Sequence, residues 1–280
     1  MKYLIFGNGY LGNKFKDALG KEADISDTDI GNIEKVRLIL KEKKPEIIIN
    51  CAGQTGRPNI DWCEEHKEET MYSNVTGPLV LAKACQENGI FMVHLGSGCI
   101  YQGDNNGKGF SEEDVPELKD IPSFYSLTKF ISEYMLKPFP VLQCRLRMPV
   151  DSHKNPRNLI TKITNYEKVT NEENSITVID DLIKTAIELI KRKKTGIYNI
   201  VNPGTITHKE ILDKYKELVD KNFEYIIIET KDLKTKAGRS NCVLNTDKLK
   251  REGIELLEIH EAIEKILKDY PPSHKVMADK

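Results

Sequence analysis

The chain has 280 residues, of which 39% are hydrophobic and 30% are charged, as in an ordinary soluble globular protein. Its 42 basic and 43 acidic side chains leave a net charge of −1, which gives no reason to expect nucleic acid as a partner. No segment approaches the roughly 20 apolar residues that cross a bilayer, and the apolar start is too short for a secretory signal. We therefore expect a cytoplasmic protein without a membrane segment.

The cysteines are scattered along the chain and form no Cys-x-x-Cys pair. Metal knuckles and disulfide scaffolds use closer and more regular spacings. The sequence therefore predicts no metal site, and it predicts free thiols at Cys51, Cys63, Cys85, Cys99, Cys144 and Cys242.

Apolar runs alternate with helical patterns through the first half of the chain. We predict buried strands at 3–6, 47–52, 91–95 and 141–146, and helices between them at 32–44, 75–87 and 123–136. Repeated strand–helix–strand units predict an α/β fold with a doubly wound parallel sheet.

The pattern changes after Pro149. Helices are predicted near 158–166 and 180–191, a strand at 196–201 that rejoins the sheet, and two helical patterns around 225–229. We expect one domain from 1–150 with 175–201, a smaller C-terminal α/β lobe over the strand ends from 151–174 with 202–270, and a tail at 271–280.

A glycine-rich turn joins the first predicted strand to a helix, and its residues are Gly7, Asn8, Gly9, Tyr10, Leu11 and Gly12. Glycines at these spacings permit a tight turn and close approach of a pyrophosphate to the amides of a helix N-terminus. The alternative is a turn that only connects two elements. The position at the start of a strand–helix series favours a Rossmann site for a dinucleotide cofactor.

The adenosine side of this site is less clear. An acidic residue about 20 positions after the glycines normally binds the ribose, and Asp24, Asp27 and Asp29 compete for that role or serve as turn and helix-cap residues. Lys14 is a candidate partner for a 2′-phosphate. The sequence therefore leaves NADH and NADPH as alternatives.

A tyrosine and a lysine stand four residues apart on the helix predicted at 123–136. Tyr125 and Lys129 therefore share one helix face, and the ammonium is expected to lower the pKa of the phenol so that it can act as a general acid. An exposed pair without function is the alternative. Ser97 follows the preceding strand and can donate to a substrate carbonyl, which favours the catalytic interpretation.

The order of these motifs resembles the extended short-chain dehydrogenase/reductases. The glycine turn is followed by Asn50-Cys51-Ala52-Gly53, then by Asn74, Ser97, Tyr125 and Lys129. From residue 1 to about 266 the chain is most similar to dTDP-4-dehydrorhamnose reductases, and especially to the nucleotide-rhamnose synthase/epimerase-reductases of plants. The most specific motifs lie at 55–64, 98–101, 145–149, 155–162 and 239–249.

The resemblance implies a 4-ketoreductase that uses NADPH or NADH on a UDP- or dTDP-linked 4-keto-6-deoxyhexose. It adds to the cofactor site Asp29, Ile30, Cys51, Ala52, Gly53, Asn74 and Met148, together with the catalytic Tyr125 and Lys129. It implies a substrate site made of Thr55, Gly56, Arg57, Gly98, Arg157, Asn158 and Arg239. The three arginines suit a pyrophosphate, although any of them can instead be a surface ion pair.

The resemblance also implies 3,5-epimerase activity and a nucleotide-linked L-rhamnose product. Cys99 occupies the position of the epimerase cysteine and Lys162 that of the epimerase lysine. A buried structural thiol and a solvated helix lysine are the alternatives. The departures are a glycine turn one residue shorter than in the plant enzymes, a different adenosine-side loop, and Gly98 where plain reductases carry a carboxylate.

Two other functions remain open on the sequence. One is a plain nucleotide-sugar 4-ketoreductase, and the other is a non-catalytic regulatory subunit that keeps the nucleotide-binding fold. The complete set of Ser97, Tyr125 and Lys129 favours an enzyme. We expect a homodimer.

Overall fold

A computed structural model describes residues 1–272, so part of the expected tail, 273–280, lies outside the described residues. Six parallel strands form the central sheet in the order β2-β1-β3-β4-β5-β9. Their bounds are β1 (Tyr3–Phe6), β2 (Ala23–Ser26), β3 (Ile47–Asn50), β4 (Phe91–Ser97), β5 (Val141–Leu146) and β9 (Gly196–Asn199). Two short parallel pairs join β6 (Pro149–Val150) to β8 (Thr177–Val178), and β7 (Lys168–Val169) to β10 (Ile226–Ile227).

Helices cover both faces of this sheet. The first half contains α1 (Tyr10–Leu19), α2 (Ile33–Lys43), α3 (Asp61–Glu65), α4 (Lys67–Met71), α5 (Gly77–Asn88) and α6 (Phe124–Leu136). The second half contains α7 (Leu159–Thr164), α8 (Ile179–Lys191), α9 (His208–Leu218), α10 (Asp247–Arg251) and α11 (Ile259–Lys268). Side chains of α1 and α8 pack on one face of the sheet, and those of α2, α5 and α6 pack on the other. The prediction of a doubly wound parallel sheet is confirmed.

The strands that periodicity predicted are those buried on both faces. Every residue of β1 and β3 is buried, and such strands form continuous apolar runs in parallel sheets. The strand predicted at 47–52 ends at Asn50, and the one predicted at 196–201 ends at Asn199. The edge strand β2 was missed because it is short and three of its four residues are only partly buried.

A second apolar core lies apart from the sheet. It gathers side chains from α7, α9 and α11 with Val150, Ile176 and Val178, and Met148 packs against it. This core lies within the sequence that follows β5.

A buried ion pair connects β5 to α6. The Arg145 guanidinium donates to both carboxylate oxygens of Glu133, at 2.9 and 2.7 Å, and Arg145 is fully buried. It also donates to the Asn199 side chain at 2.9 Å and the Ser111 carbonyl at 3.2 Å, and it lies over the Tyr101 ring. These contacts hold the helix that carries Tyr125 and Lys129 against the sheet.

The six cysteines are all free thiols, as predicted, and five of them are buried. In the part of the chain from residue 1 to 272, no helix is long and apolar enough to cross a membrane.

Candidate active site

The glycine turn between β1 and α1 has the shape that a pyrophosphate requires. A Cβ on Gly7 would lie 2.6 Å from the Ala52 nitrogen, and one on Gly12 would lie 2.0 Å from the Gly7 carbonyl oxygen, so neither position accepts a side chain. Gly9 faces open space instead. Helix α1 begins at Tyr10, and within residues 1–272 no side chain caps its first turn. The first amides are therefore available to an anion, and the turn fits a dinucleotide.

The two residues expected on the adenosine side have structural contacts in this chain. The Asp29 carboxylate accepts hydrogen bonds from the Gly31 amide and the Tyr72 hydroxyl, both at 3.0 Å. Ile30 is buried and packs directly over Gly77, where a Cβ would come within 2.5 Å of it. Asp29 and Ile30 thus hold the loop after β2 against α5 and the turn that precedes it.

The other candidates near the adenosine side differ in their surroundings. Lys14, which was considered for a 2′-phosphate, forms an ion pair with the buried Asp151 at 2.5 Å. Asp24 lies within β2 and pairs with Lys43 at 3.6 Å. Asp27 is exposed directly after that strand.

The loop after β3 is fixed by one buried amide. The Asn74 side chain accepts from the Gln54 amide at 2.7 Å and donates to the Gln54 carbonyl and to the Thr128 hydroxyl. Asn74 therefore connects this loop to α6, the helix with the candidate catalytic pair. The same loop contains Cys51, Ala52, Gly53 and the half-buried Thr55.

Ser97 and Tyr125 meet at the carboxyl end of β4. Ser97 is the last residue of β4, and its side chain lies near enough to the Tyr125 phenol to lower the pKa of that group. Helix α6 begins one residue before Tyr125, where the Ser123 hydroxyl accepts from the Ser126 amide at 3.1 Å and the Glu64 carboxylate accepts from the Phe124 amide at 2.7 Å. These caps fix the start of the helix and with it the position of the phenol.

The expected effect of Lys129 on Tyr125 is not what the structure shows. Burial raises the pKa of Tyr125, a nearby Cys99 charge acts in the same direction, and the Ser97 side chain opposes both. The Lys129 ammonium donates to the Leu95 carbonyl at 2.9 Å, and burial lowers its own pKa to about 8. Our prediction of a phenol pKa lowered by Lys129 was therefore wrong, because burial of the phenol raises its pKa.

Cys99 lies beside the same phenol. It is 6% exposed on the turn after β4, and its amide donates to the Ser97 hydroxyl at 3.3 Å. Its charge would raise the pKa of both Tyr125 and Lys129, so the thiol is close to both groups. The Leu244 side chain occupies the space beside Gly98, because a Cβ on Gly98 would lie 2.7 Å from it.

A group of cations borders the phenol on the side of the second core. Arg157 donates to the Gly56 carbonyl at 3.0 Å, and its pKa is lowered by burial and by the charge of Arg57, whereas Tyr125 acts in the opposite direction. Burial and the charge of Arg157 lower the pKa of Lys162. Arg157 therefore repels both Arg57 and Lys162, and such a group of cations favours an anionic ligand.

Two predicted substrate residues have other partners in the structure. Arg239 donates to the Asp61 carboxylate at 3.0 Å and to the Ala237 carbonyl at 3.1 Å. Asn158 is fully buried, caps α7 by accepting from the Ile160 amide, and donates to Asp151. Asn158 thus orders the loop that carries Arg157.

Sequence reasoning missed several residues that surround this site. Cys63 is fully buried and close enough to influence the pKa values of Tyr125 and Arg157. Asp61 and Glu64 anchor Arg239 and α6 respectively. All three lie in the 55–64 motif, so the signal was the motif itself and not the chemistry of any one residue.

Comparisons with known proteins identify the family of this chain. A family model described as RmlD substrate binding domain matches residues 1–271. A bifunctional dTDP-4-dehydrorhamnose 3,5-epimerase/dTDP-4-dehydrorhamnose reductase of Arabidopsis thaliana is 40% identical over 98% of this chain and 94% of that protein. A trifunctional UDP-glucose 4,6-dehydratase/UDP-4-keto-6-deoxy-D-glucose 3,5-epimerase/UDP-4-keto-L-rhamnose-reductase of the same plant is also 40% identical, and this chain spans 42% of its length.

Solved structures show the same relationship. A UDP-rhamnose synthase from Acanthamoeba polyphaga mimivirus superposes with a TM-score of 0.91 at 33% identity, over 96% of this chain and 99% of that one. A dTDP-4-dehydrorhamnose reductase from Bacillus anthracis, in complex with NADP, has the same fold with a TM-score of 0.82 at 24% identity, over 95% and 99% of the two chains. Since the family model covers nearly the whole chain and close relatives align along its length, the chain belongs to the RmlD substrate binding domain family.

Proposed function

We propose that this chain is an NAD(P)H-dependent 3,5-epimerase/4-ketoreductase that converts a UDP- or dTDP-linked 4-keto-6-deoxyhexose to nucleotide-linked L-rhamnose. The observation that carries the proposal is the convergence of Ser97, Tyr125 and Cys99 at the end of β4, beside the cations Arg157 and Lys162. The bifunctional relative, at 40% identity over 94% of its length, supports the same pair of activities.

In the reductase step, a bound nicotinamide supplies the hydride that reaches C4. The Ser97 hydroxyl donates to the C4 carbonyl oxygen and holds it in place. Tyr125 donates its phenolic proton to the same oxygen as negative charge develops, and its raised pKa keeps it protonated until then. Lys129 lies one helical turn after Tyr125, and its ammonium is held at the Leu95 carbonyl.

In the epimerase step, the C4 ketone makes the protons on C3 and C5 acidic. One group removes such a proton and a second returns one on the opposite face of the ring. Cys99 lies next to Tyr125 and therefore next to the ketone, and Lys162 has a pKa lowered by burial and by Arg157, which favours the neutral amine needed for proton exchange.

The substrate nucleotide requires an anion site. We assign its pyrophosphate to Arg57 and Arg157, with Arg239 released from Asp61 as a third contact. We place the sugar between the domain formed by 1–150 with 175–201 and the lobe formed by 151–174 with 202–270, because Tyr125 and Lys162 approach the site from these two parts. A cytoplasmic location and a homodimer remain predictions.

Product analysis after incubation in heavy water tests this function. The protein is given UDP- or dTDP-4-keto-6-deoxyglucose with NADH or NADPH, and the expected product is nucleotide-linked rhamnose with deuterium at C3 and C5. Reduction without deuterium at these carbons would identify a plain 4-ketoreductase. Absence of cofactor oxidation with both nucleotides would contradict the reductase proposal.

A further inference from the structure

The end of β2 lies directly against the glycine turn. β2 pairs in parallel with β1, with Ser26 opposite Phe6, and the Gly7 amide donates to the Ser26 carbonyl at 3.2 Å. In dinucleotide-binding folds the adenosine ribose lies at this strand end. Asp27 is the first residue beyond the strand, and it is exposed.

A small hydrogen-bonded turn holds Asp27 in this position. The Ser26 hydroxyl donates to the Thr28 hydroxyl at 2.8 Å, and the Thr28 amide donates back to the Ser26 hydroxyl at 3.1 Å. The neighbouring Asp29 is committed to Gly31 and Tyr72. Because Asp24 pairs with Lys43 and Asp29 accepts two hydrogen bonds, Asp27 is the candidate carboxylate for the ribose.

Positive charge, which a 2′-phosphate requires, is lacking in the same segment. The sequence from Ser26 to Asn32 contains neither lysine nor arginine, and the glycine turn contributes none. Lys14, on the adjacent helix, is neutralised by the buried Asp151 at 2.5 Å. A phosphate here would face the Asp27 carboxylate, and two negative charges at close range repel one another.

We propose that Asp27 accepts a hydrogen bond from the 2′-hydroxyl of the adenosine ribose and that this chain selects NADH over NADPH. The inference rests on the proposed function only in so far as the cofactor is a nicotinamide dinucleotide. Repulsion between a carboxylate and a phosphate bearing almost two charges corresponds to a preference of about tenfold or more for NADH.

Cofactor binding without any sugar tests the proposal. NADH and NADPH are titrated separately into the whole protein, and their fluorescence gives the two dissociation constants. We expect NADH to bind about tenfold more tightly. Asp27→Asn should weaken NADH binding and bring the two constants within about threefold of each other, and Asp27→Arg should reverse the preference.

Asp24→Asn is the matched control, because Asp24 carries the same group within β2 and pairs with Lys43. It should leave the ratio of the two constants unchanged. Equal or tighter binding of NADPH by the unmodified chain, or an unchanged ratio in Asp27→Asn, would overturn the proposal and leave the reductase function intact. Binding of neither cofactor would contradict the reductase function and this proposal together.

Discussion

Replacing Glu133 by glutamine should lower the free energy of unfolding by much more than the small change in side-chain shape suggests. The substitution keeps the shape of the side chain but removes the negative charge that faces Arg145, whose side chain is 1% exposed. Removing one member of a buried ion pair typically costs about 3–5 kcal/mol, because the other charge remains desolvated. Arg145 keeps its bonds to Asn199 and Ser111, so we expect a loss near the lower limit, about 3 kcal/mol.

That loss is large relative to the total stability of a domain, which is about 5–15 kcal/mol. Urea unfolding followed by the fluorescence of the single tryptophan, Trp62, measures it. The exposed pair of Glu34 and Arg37 is the control, and Glu34→Gln should leave the free energy of unfolding almost unchanged. The double variant Glu133→Leu/Arg145→Met should recover most of the lost stability. A loss below about 1 kcal/mol in Glu133→Gln would refute the reasoning.

The remaining predictions concern the site. Tyr125→Phe should reduce turnover by about 10²- to 10⁴-fold with little change in cofactor affinity, as measured by steady-state kinetics and cofactor titration. Cys99→Ser should abolish deuterium uptake at C3 and C5 and still reduce an already epimerised 4-ketosugar, and uptake at the original rate would remove Cys99 from the mechanism. Gly9→Val should weaken cofactor binding in a titration, because its side chain would project into the open space above the turn. The pKa of Lys129 is about 8 when folded and 10.5 when exposed, so the folded chain binds fewer protons between these values. The free energy of unfolding should rise relative to that of Lys129→Met by about 2 kcal/mol from pH 8 to pH 10.

Local sequence patterns predicted the strands that are buried on both faces of the sheet. Strands β1 and β3 are buried on both faces and appear as apolar runs, whereas β2 at the sheet edge has no such run. The orientation of the Lys129 side chain was not predictable, because its ammonium donates to the Leu95 carbonyl, on a strand 34 residues earlier.

The partners of Arg239 and Asn158 were hidden from the sequence for the same reason. Arg239 pairs with Asp61, 178 residues away, and no local pattern encodes that contact. Asn158 serves as a helix cap. Asparagine is common in helix caps as well as in binding sites, so the residue type did not distinguish these two roles.

The segment from Ser240 to Leu244 is synthesised late, although it contacts residues from much earlier in the chain. Cys242 forms an isolated β-bridge with Gly103, and Leu244 forms one with Phe110. The Ser240 carbonyl accepts a hydrogen bond from the Arg147 guanidinium. A ribosome delivers this segment after every strand of the central parallel sheet, since the last of them, β9, ends at Asn199. Until this segment emerges, the glycine turn and Tyr125 have both been synthesised, but the Leu244 side chain that packs over Gly98 has not.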